Sequence, residues 1–274
     1  MESLMKQAIF GLYRFLFARK ITYKLNKFLL FCCLKGMGML NHENDEVSGE
    51  RSFIAMVAAR LKLETVFDVG GHKGEYAQMI REVYPDARIC SFEPHPTTFK
   101  VLEQMAHTYR FECYNFGLGD VERNLELFDY AQQDGSPFAS IHRAALDNEP
   151  GLPINKYAIQ IKTLDDFVSV NQIDSIDLLK IDTEGNEYAV LSGGKNTLSD
   201  GKIKMIQFEF NEMNVHSRVF FKDFYDLLSD KYNIYRLLPQ ELLPLVRYTS
   251  MQCELFVYQN IVAIRKDIDN KLFQ

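Results

Sequence analysis

Four carboxylates stand where apolar runs end: Asp68 in a run from residue 65, Glu93 after one from 88, Asp182 after one from 176, and Glu209 after one from 203. Three glycines in five positions follow the first of them, in Asp68-Val69-Gly70-Gly71-His72-Lys73-Gly74. Glycine tolerates positive φ and lets a ligand approach bare backbone, and a helix starting just beyond leaves its first N–H groups unpaired. One acid at a strand end is often only a helix cap. Four on neighbouring tips gather like charge that stability alone does not favour, which points to a bound ligand that wants it.

The class of ligand follows from what the glycine turn lacks. A dinucleotide fingerprint, G-x-G-x-x-G, needs glycine at 69, 71 and 74, and position 69 is valine, which disfavours an NAD(P)-dependent oxidoreductase. The pattern is instead D-x-G-G-x-x-G. About 25 residues after Asp68, Glu93-Pro94 puts a carboxylate at a strand's C-terminal end, where open α/β sheets bind ligands and where an acid suits ribose hydroxyls. Asp68 and Glu93 would repel a pyrophosphate placed close to them but attract a sulfonium. S-adenosylmethionine therefore fits better than NAD. Asp68, Gly70, Gly71, His72 and Gly74 are expected to hold its methionine part and Glu93-Pro94 its ribose. Asn115, Gly119 and Asp120 are expected at its adenine, with Asp182 on the same rim.

The fold has to bring those tips together. Residues 65–69 are β-branched and aromatic, as in a buried parallel strand, and 75–83 carry helical spacing at Tyr76, Met79, Ile80 and Val83. A strand at 88–92, a helix at 97–106 opened by Pro94 and Pro96, and a strand at 110–116 closed by Asn115-Phe116-Gly117-Leu118-Gly119-Asp120 repeat the alternation. That rhythm predicts a parallel, doubly wound sheet with right-handed crossovers and all strand C-termini at one edge. An apolar stripe at Phe53, Ile54, Val57, Ala58 and Leu61 packs a helix ahead of the first strand. Between 120 and 165 the rhythm breaks. Residues 125–130 and 157–161 read as antiparallel strands around a long loop, 132–153, which is either a substrate-side lid carrying Ser136, Ser140, His142 and Arg143 or a mobile insertion. Thr163 caps a helix, the run through Asp182 turns at Gly185 into a helix reaching 191, and the strand at 203–208 leads into Glu209-Phe210-Asn211-Glu212. A helix at 220–228 and strands near 234–237 and 255–264 complete the sheet, with Pro239 and Pro244 bracketing a loop.

Length and composition bound the rest. With 274 residues, 47% of them apolar, the chain can bury one full core, read as a body at 50–274 with an extension at 1–49. Charge is split: residues 1–40 hold seven Lys/Arg against Glu2, about +6, on a total of −6, so the remainder is near −12. An acidic body argues against a nucleic-acid groove. Five cysteines without a C-x-x-C pair indicate neither a disulfide framework nor a structural zinc, and a reducing, cytoplasmic compartment is the default. Residues 4–35 mix aromatic residues with a base every few positions, and no uncharged run exceeds seven. A spanning helix needs roughly 20 mostly apolar residues and a signal peptide an unbroken apolar core, so neither is supported. Two readings stand: peripheral contact with anionic head groups at a membrane surface, or a helical extension packed on the body or on a second subunit of a homodimer. Residues 41–49, polar and acidic, read as a hinge.

With these motifs in order, the chain resembles the FkbM family of S-adenosylmethionine-dependent methyltransferases, of the class I methyltransferase fold, over roughly residues 50–265. The resemblance rests on Phe67-Asp68-Val69-Gly70-Gly71-His72-Lys73-Gly74, Phe92-Glu93-Pro94, Asn115-Phe116-Gly117-Leu118-Gly119-Asp120, Thr163-Leu164-Asp165 and above all Leu179-Lys180-Ile181-Asp182-Thr183-Glu184-Gly185-Asn186-Glu187. It implies a Rossmann-like α/β fold with a doubly wound, mostly parallel sheet of seven strands in the order 3-2-1-4-5-7-6, the last antiparallel. It also implies O-methylation of a hydroxyl on a sugar, glycan or related small molecule. The family often has Ala-Asn where this chain has Gly71-His72, and alanine at Gly117.

Methyl transfer from a sulfonium discharges the donor, so tight electrostatic binding does not itself speed the step; position and nucleophile activation must. A sugar hydroxyl is a poor nucleophile that calls for a base or a metal. Asp182 and Glu184 are the first candidates, followed by Glu209 and His216, the last also readable as a solvated loop histidine. Mg²⁺ on Asp182, Glu209 and Asn211 is the metal alternative. A second function class also fits: a non-catalytic cofactor-binding module that the basic extension docks to a membrane-associated glycan-processing assembly.

Overall fold

The computed structural model describes residues 2–137, 139–148 and 152–272. Its strands are β1 (Thr65–Val69), β2 (Arg88–Phe92), β3 (Glu112–Tyr114), β4 (Gly117–Gly119), β5 (Arg123–Tyr130), β6 (Ile154–Thr163), β7 (Ile176–Ile181), β8 (Ile203–Phe210), β9 (Tyr232–Leu237), β10 (Leu242–Pro244) and β11 (Gln259–Arg265). Alternation along the buried strands feeds two apolar layers. Val66, Leu178 and Met205 pack with Ile54, Val57, Ile80 and Leu102 from the helices Glu50–Ala58, Glu75–Val83 and Pro96–Tyr109. Phe67, Leu179 and Ile206 pack with Phe167, Val190 and Phe224 from Leu164–Val170, Glu187–Ser192 and Phe221–Leu228 on the opposite side. Helices therefore cover both faces, as parallel strands require.

The main sheet runs β3-β2-β1-β7-β8-β11-β9-β10. The expected count of seven is corrected to eight: β10 adds an edge strand, antiparallel to β9 through Leu242↔Leu237. The stretch between Pro239 and Pro244, expected to be a loop, instead folds back along β9, with Leu238 N donating to Glu241 O at 2.9 Å in the turn. Pro244 is tolerated because an outer edge needs no further ladder donor. Of the other strands, only β11 runs against its neighbours β8 and β9.

Register decides which residues leave the sheet together. Val69 pairs with Phe92 and with Ile181, and Ile181 pairs with Phe208. Gly70, Glu93, Asp182 and Glu209 therefore sit at adjacent tips. A second sheet, β4-β6-β5, stands over that edge. Its β5 and β6 pair antiparallel, and Gly117–Gly119, anticipated as a loop, is a short strand parallel to β6.

Residues 39–50 are packed on the body. Met39 bridges to Gln259, Leu40 N donates to Tyr258 O at 2.8 Å, and Asn44 caps the turn Asp45–Ser48. Ahead of them the helices Glu2–Phe17 and Tyr23–Gly36 stand out from the domain, and the first buried side chain in the described chain is Leu34. Among the described residues, no helix is long and apolar enough to cross a membrane.

Candidate active site

A cavity of about 440 Å³ opens at the C-terminal edge of β1, β2 and β7. On the β1–β2 side the acids are fixed by the backbone around them. Glu93 accepts from His72 N through Oε2 at 3.0 Å and from His95 N through Oε1 at 2.7 Å. Asn115 Nδ2 donates to Glu93 O at 2.9 Å and braces this turn, but Asn115 does not line the cavity. Asp68 Oδ2 accepts from Ser91 Oγ at 2.9 Å. Burial pushes the Glu93 carboxyl up to about 7, against the His95 and His72 amides that favour its charge. Burial likewise lifts Asp68 to about 6, opposed by Ser91 and by the Lys180 charge. Two buried acids held this high fit a cationic ligand, whose charge would restore their ionised forms.

The glycines of this turn answer first to the protein. Gly70 has φ 83°, and a Cβ there would lie 1.7 Å from Asp182 O; at Gly71 a Cβ would lie 1.9 Å from Ser91 Oγ. Without glycine the β1 turn could not nest against the tips of β7 and β2. His72 follows at φ 45°, its Nε2 facing Gly135 O at 3.2 Å, and so joins the turn to the loop above it. Gly74, at φ 93°, packs against Leu102 and Phe111 away from the cavity and starts the helix Glu75–Val83.

The β7–β8 side is organised by a residue absent from the candidates that spacing singles out. Lys180 is 3% exposed, with Nζ 3.4 Å from Glu50 Oε1, 3.3 Å from Asp182 Oδ2 and 5.7 Å from the centre of the Tyr76 ring. Burial opposes its charge, but Asp182, Glu50 and Glu209 hold its pKa well above the usual lysine range. Gln207 ties the group together: Nε2 donates to Glu50 Oε1 at 2.7 Å and Oε1 accepts from Tyr76 OH at 3.0 Å. Burial, then Asp182 and Glu187, push Glu184 far above the carboxylate range. Burial and Asp182 do the same for Glu209. A signal for Lys180 was present in the chain, since a lone charge inside Leu178-Leu179-Lys180-Ile181 can be buried only if paired.

Asp182 and Glu184 line the cavity; Glu209 and His216 do not. Glu209 accepts from Asn211 Nδ2 at 3.3 Å, and Asn211 Oδ1 accepts from Met213 N at 2.8 Å. Of the three residues expected around Mg²⁺, Asp182 lies 3.3 Å from the Lys180 ammonium, while Glu209 and Asn211 bond each other and do not line the cavity. His216 lies in the short helix Met213–Ser217, close enough to His142 to help burial lower that ring's pKa.

The upper wall is apolar, with Leu118, Leu127, Ile141, Ile159 and Ile161 facing the acid rim. Gly117 and Leu118 line it in place of Asn115 and Gly119, while Asp120 is exposed and paired with Arg123 at 2.9 Å. A Cβ at Gly119 would meet Ile161 Cγ2 at 2.8 Å, so that glycine serves the packing of β4 on β6. Of the long loop, Ser136, Pro137, Ala139 and Ile141 reach the cavity; Phe138 and residues 149–151 lie outside the described residues. Ser140 Oγ donates to Glu184 O at 2.9 Å, and Arg143 is exposed. Asp129 clasps the loop, accepting from Gly135 N at 2.7 Å and Ser136 N at 3.1 Å, with His95 Nε2 at 3.3 Å. His95, Asp129 and Asp134 form the one group spaced for a metal among the described residues, but these loop bonds already use the Asp129 oxygens.

An open, mostly parallel sheet with an acid-rimmed, apolar-roofed cleft at its C-terminal edge defines an α/β protein with its cleft where such sheets bind ligands. Residues 68–237 match the methyltransferase FkbM domain, and the chain belongs to that family. It is 27% identical over 142 residues to "Methyltransferase 1" of Beauveria bassiana, covering 47% of this chain and 57% of that protein. It is 24% identical over 161 residues to "2-O-methyltransferase NoeI" of Sinorhizobium fredii, covering 55% and 65%. The matches thus span less than two thirds of either curated relative. A crystal structure of methyltransferase FkbM from Methylobacillus flagellatus superposes with a TM-score of 0.45 at 15% identity, covering 74% of this chain and 43% of that one.

Proposed function

We propose that residues 50–274 form an S-adenosylmethionine-dependent O-methyltransferase acting on a hydroxyl of a sugar, glycan or related small molecule. One observation carries this reading: Glu93, fixed by two backbone amides, shares a single cavity with Asp68, the Gly70-Gly71 turn and an apolar wall. An acid for a diol, acids for a cation and an apolar slot for a purine together match that cofactor. Membership of the FkbM family supports methyl transfer, and the description of one relative as a 2-O-methyltransferase supports oxygen as the acceptor atom.

When bound, S-adenosylmethionine supplies an electrophilic methyl on a sulfonium. The chain's own residues supply the rest. Asp68 and the Gly70-Gly71-His72 backbone hold the amino-acid end, Glu93 the ribose hydroxyls, and Leu118, Ile159 and Ile161 the purine. Asp182, steered by Lys180 at 3.3 Å, takes the proton of the attacking hydroxyl. Glu184, whose carboxyl burial and Asp182 push well above the usual carboxylate range, is placed to donate a hydrogen bond that orients the acceptor.

Equilibrium dialysis with S-adenosylmethionine, followed by transfer of its labelled methyl to a panel of sugars and glycans, tests the reading. Saturable binding that Glu93→Ala weakens by about tenfold to a hundredfold is expected. Nicotinamide dinucleotide binding in place of S-adenosylmethionine would sink it. The exposed N-terminal helices favour a second reading, the non-catalytic module docked to a membrane assembly, and binding without turnover on any hydroxyl would select it.

A further inference from the structure

Exposed large apolar side chains occur singly along the body, as at Val170, Val246 and Met251, and concentrate in the N-terminal helices. Residues 4–33 contain no buried side chain, yet their two helices carry Leu4, Phe10, Leu12, Phe15, Phe28 and Leu30 at 57–73% exposure. Monomers rarely leave so many large apolar side chains exposed on one short segment without a partner for them. Basic residues are interleaved with these: Lys6, Arg14, Arg19, Lys20, Lys24 and Lys27, against no acid between residues 3 and 42.

We infer that this two-helix arm is a monotopic anchor that lies in the head-group region of an anionic lipid surface. Charge selects that occupant. Pairing with a second copy of the arm would bring bases against bases, whereas phosphate head groups neutralise them while the aromatic and leucine side chains enter the acyl boundary. Lysine and arginine suit such a depth because their stems lie along apolar surface while their heads reach outward. The arm does not span, since no described helix is long and apolar enough. Its root is stitched to β11 by the Met39–Gln259 bridge, and the segment that follows contributes Asp45 and Glu50 to the cavity lining. Docking therefore holds the cavity close to the lipid surface, within reach of hydroxyls carried there.

The test is co-sedimentation of the full chain with vesicles of phosphatidylcholine alone and of phosphatidylcholine mixed with phosphatidylserine. Binding to the anionic vesicles that weakens with added salt is expected, with little on the neutral ones. Lys24→Gln with Lys27→Gln should weaken it by about thirtyfold, since each base near an anionic surface contributes roughly a fivefold gain in affinity. Phe10→Ser with Phe28→Ser should abolish most of the remainder and leave the thermal midpoint of the body unchanged. Three results would overturn the inference: no binding to anionic vesicles, binding indifferent to both double variants, or an arm-dependent dimer in solution that ignores vesicles.

Discussion

The two sides of the cleft gather acids by different means. On the β1–β2 side each carboxylate is held by neutral donors, Glu93 by two amides and Asp68 by a hydroxyl, so position is set and charge is left for a ligand to balance. On the β7–β8 side the acids surround one buried lysine, which balances charge internally, while burial and Asp182 push the Glu184 carboxyl well above the usual carboxylate range. The first arrangement suits recognition of a cation in one orientation. The second suits handling a proton, because moving it shifts charge inside a group already compensated.

That division can be broken from either side. Asp182→Asn removes the proposed base while keeping its size, and turnover should fall by about a hundredfold to ten-thousandfold with cofactor affinity nearly kept; full activity in a labelled-methyl assay would remove Asp182 from the mechanism. Lys180→Met strands Asp182, Glu50 and Glu209, and denaturant unfolding should show a loss of about 3–5 kcal/mol. On the recognition side, Gly71→Ala drives a Cβ into Ser91 Oγ and should destabilise by about 1–3 kcal/mol. Adding Ser91→Ala should recover part of that loss, and no recovery would mean that the glycine serves something other than the hydroxyl.

The pH dependence follows from Asp68 and Glu93. Their folded-state pKa values, about 6 and about 7, lie above the ordinary carboxyl values of 3.8 and 4.5, so the stability they contribute is fully present below the lower values and is lost as pH rises through 6 and 7. The ligand-free protein should therefore melt lower at slightly alkaline pH than near pH 5. S-adenosylmethionine affinity should run the opposite way, weakening by up to about tenfold per pH unit and per proton as pH falls through this range, as calorimetry at several pH values would show. The smallest effect is expected at Asp120, where Ala should leave affinity within about twofold, since the side chain is exposed, lies outside the cavity lining and pairs with Arg123 at the surface.

Much of the recognition side was legible in the chain. Apolar runs ending on Asp68, Glu93 and Asp182, spaced by helical segments, place three acids at one sheet edge because parallel strands with right-handed crossovers admit no other arrangement. Less of the other side could be read. Lys180 was hidden inside an apolar run, and Glu50, far away in sequence, meets it only because the helix Glu50–Ala58 packs across the sheet. Of the residues expected at the adenine, Asn115, Gly119 and Asp120 do not line the cavity whereas their neighbours Gly117 and Leu118 do, because β4 joins a second sheet over that edge.

Local periodicity and glycine placement, then, were enough to determine the strand–helix order, the acid rim and the turn that carries it, since each depends on contacts between near neighbours in the chain. Only the tertiary structure decided which acids share a lysine, which are left to a ligand, and which wall closes over them. Those outcomes depend on burial and on distances between residues remote in sequence, and a charge's cost or usefulness is set by what surrounds it.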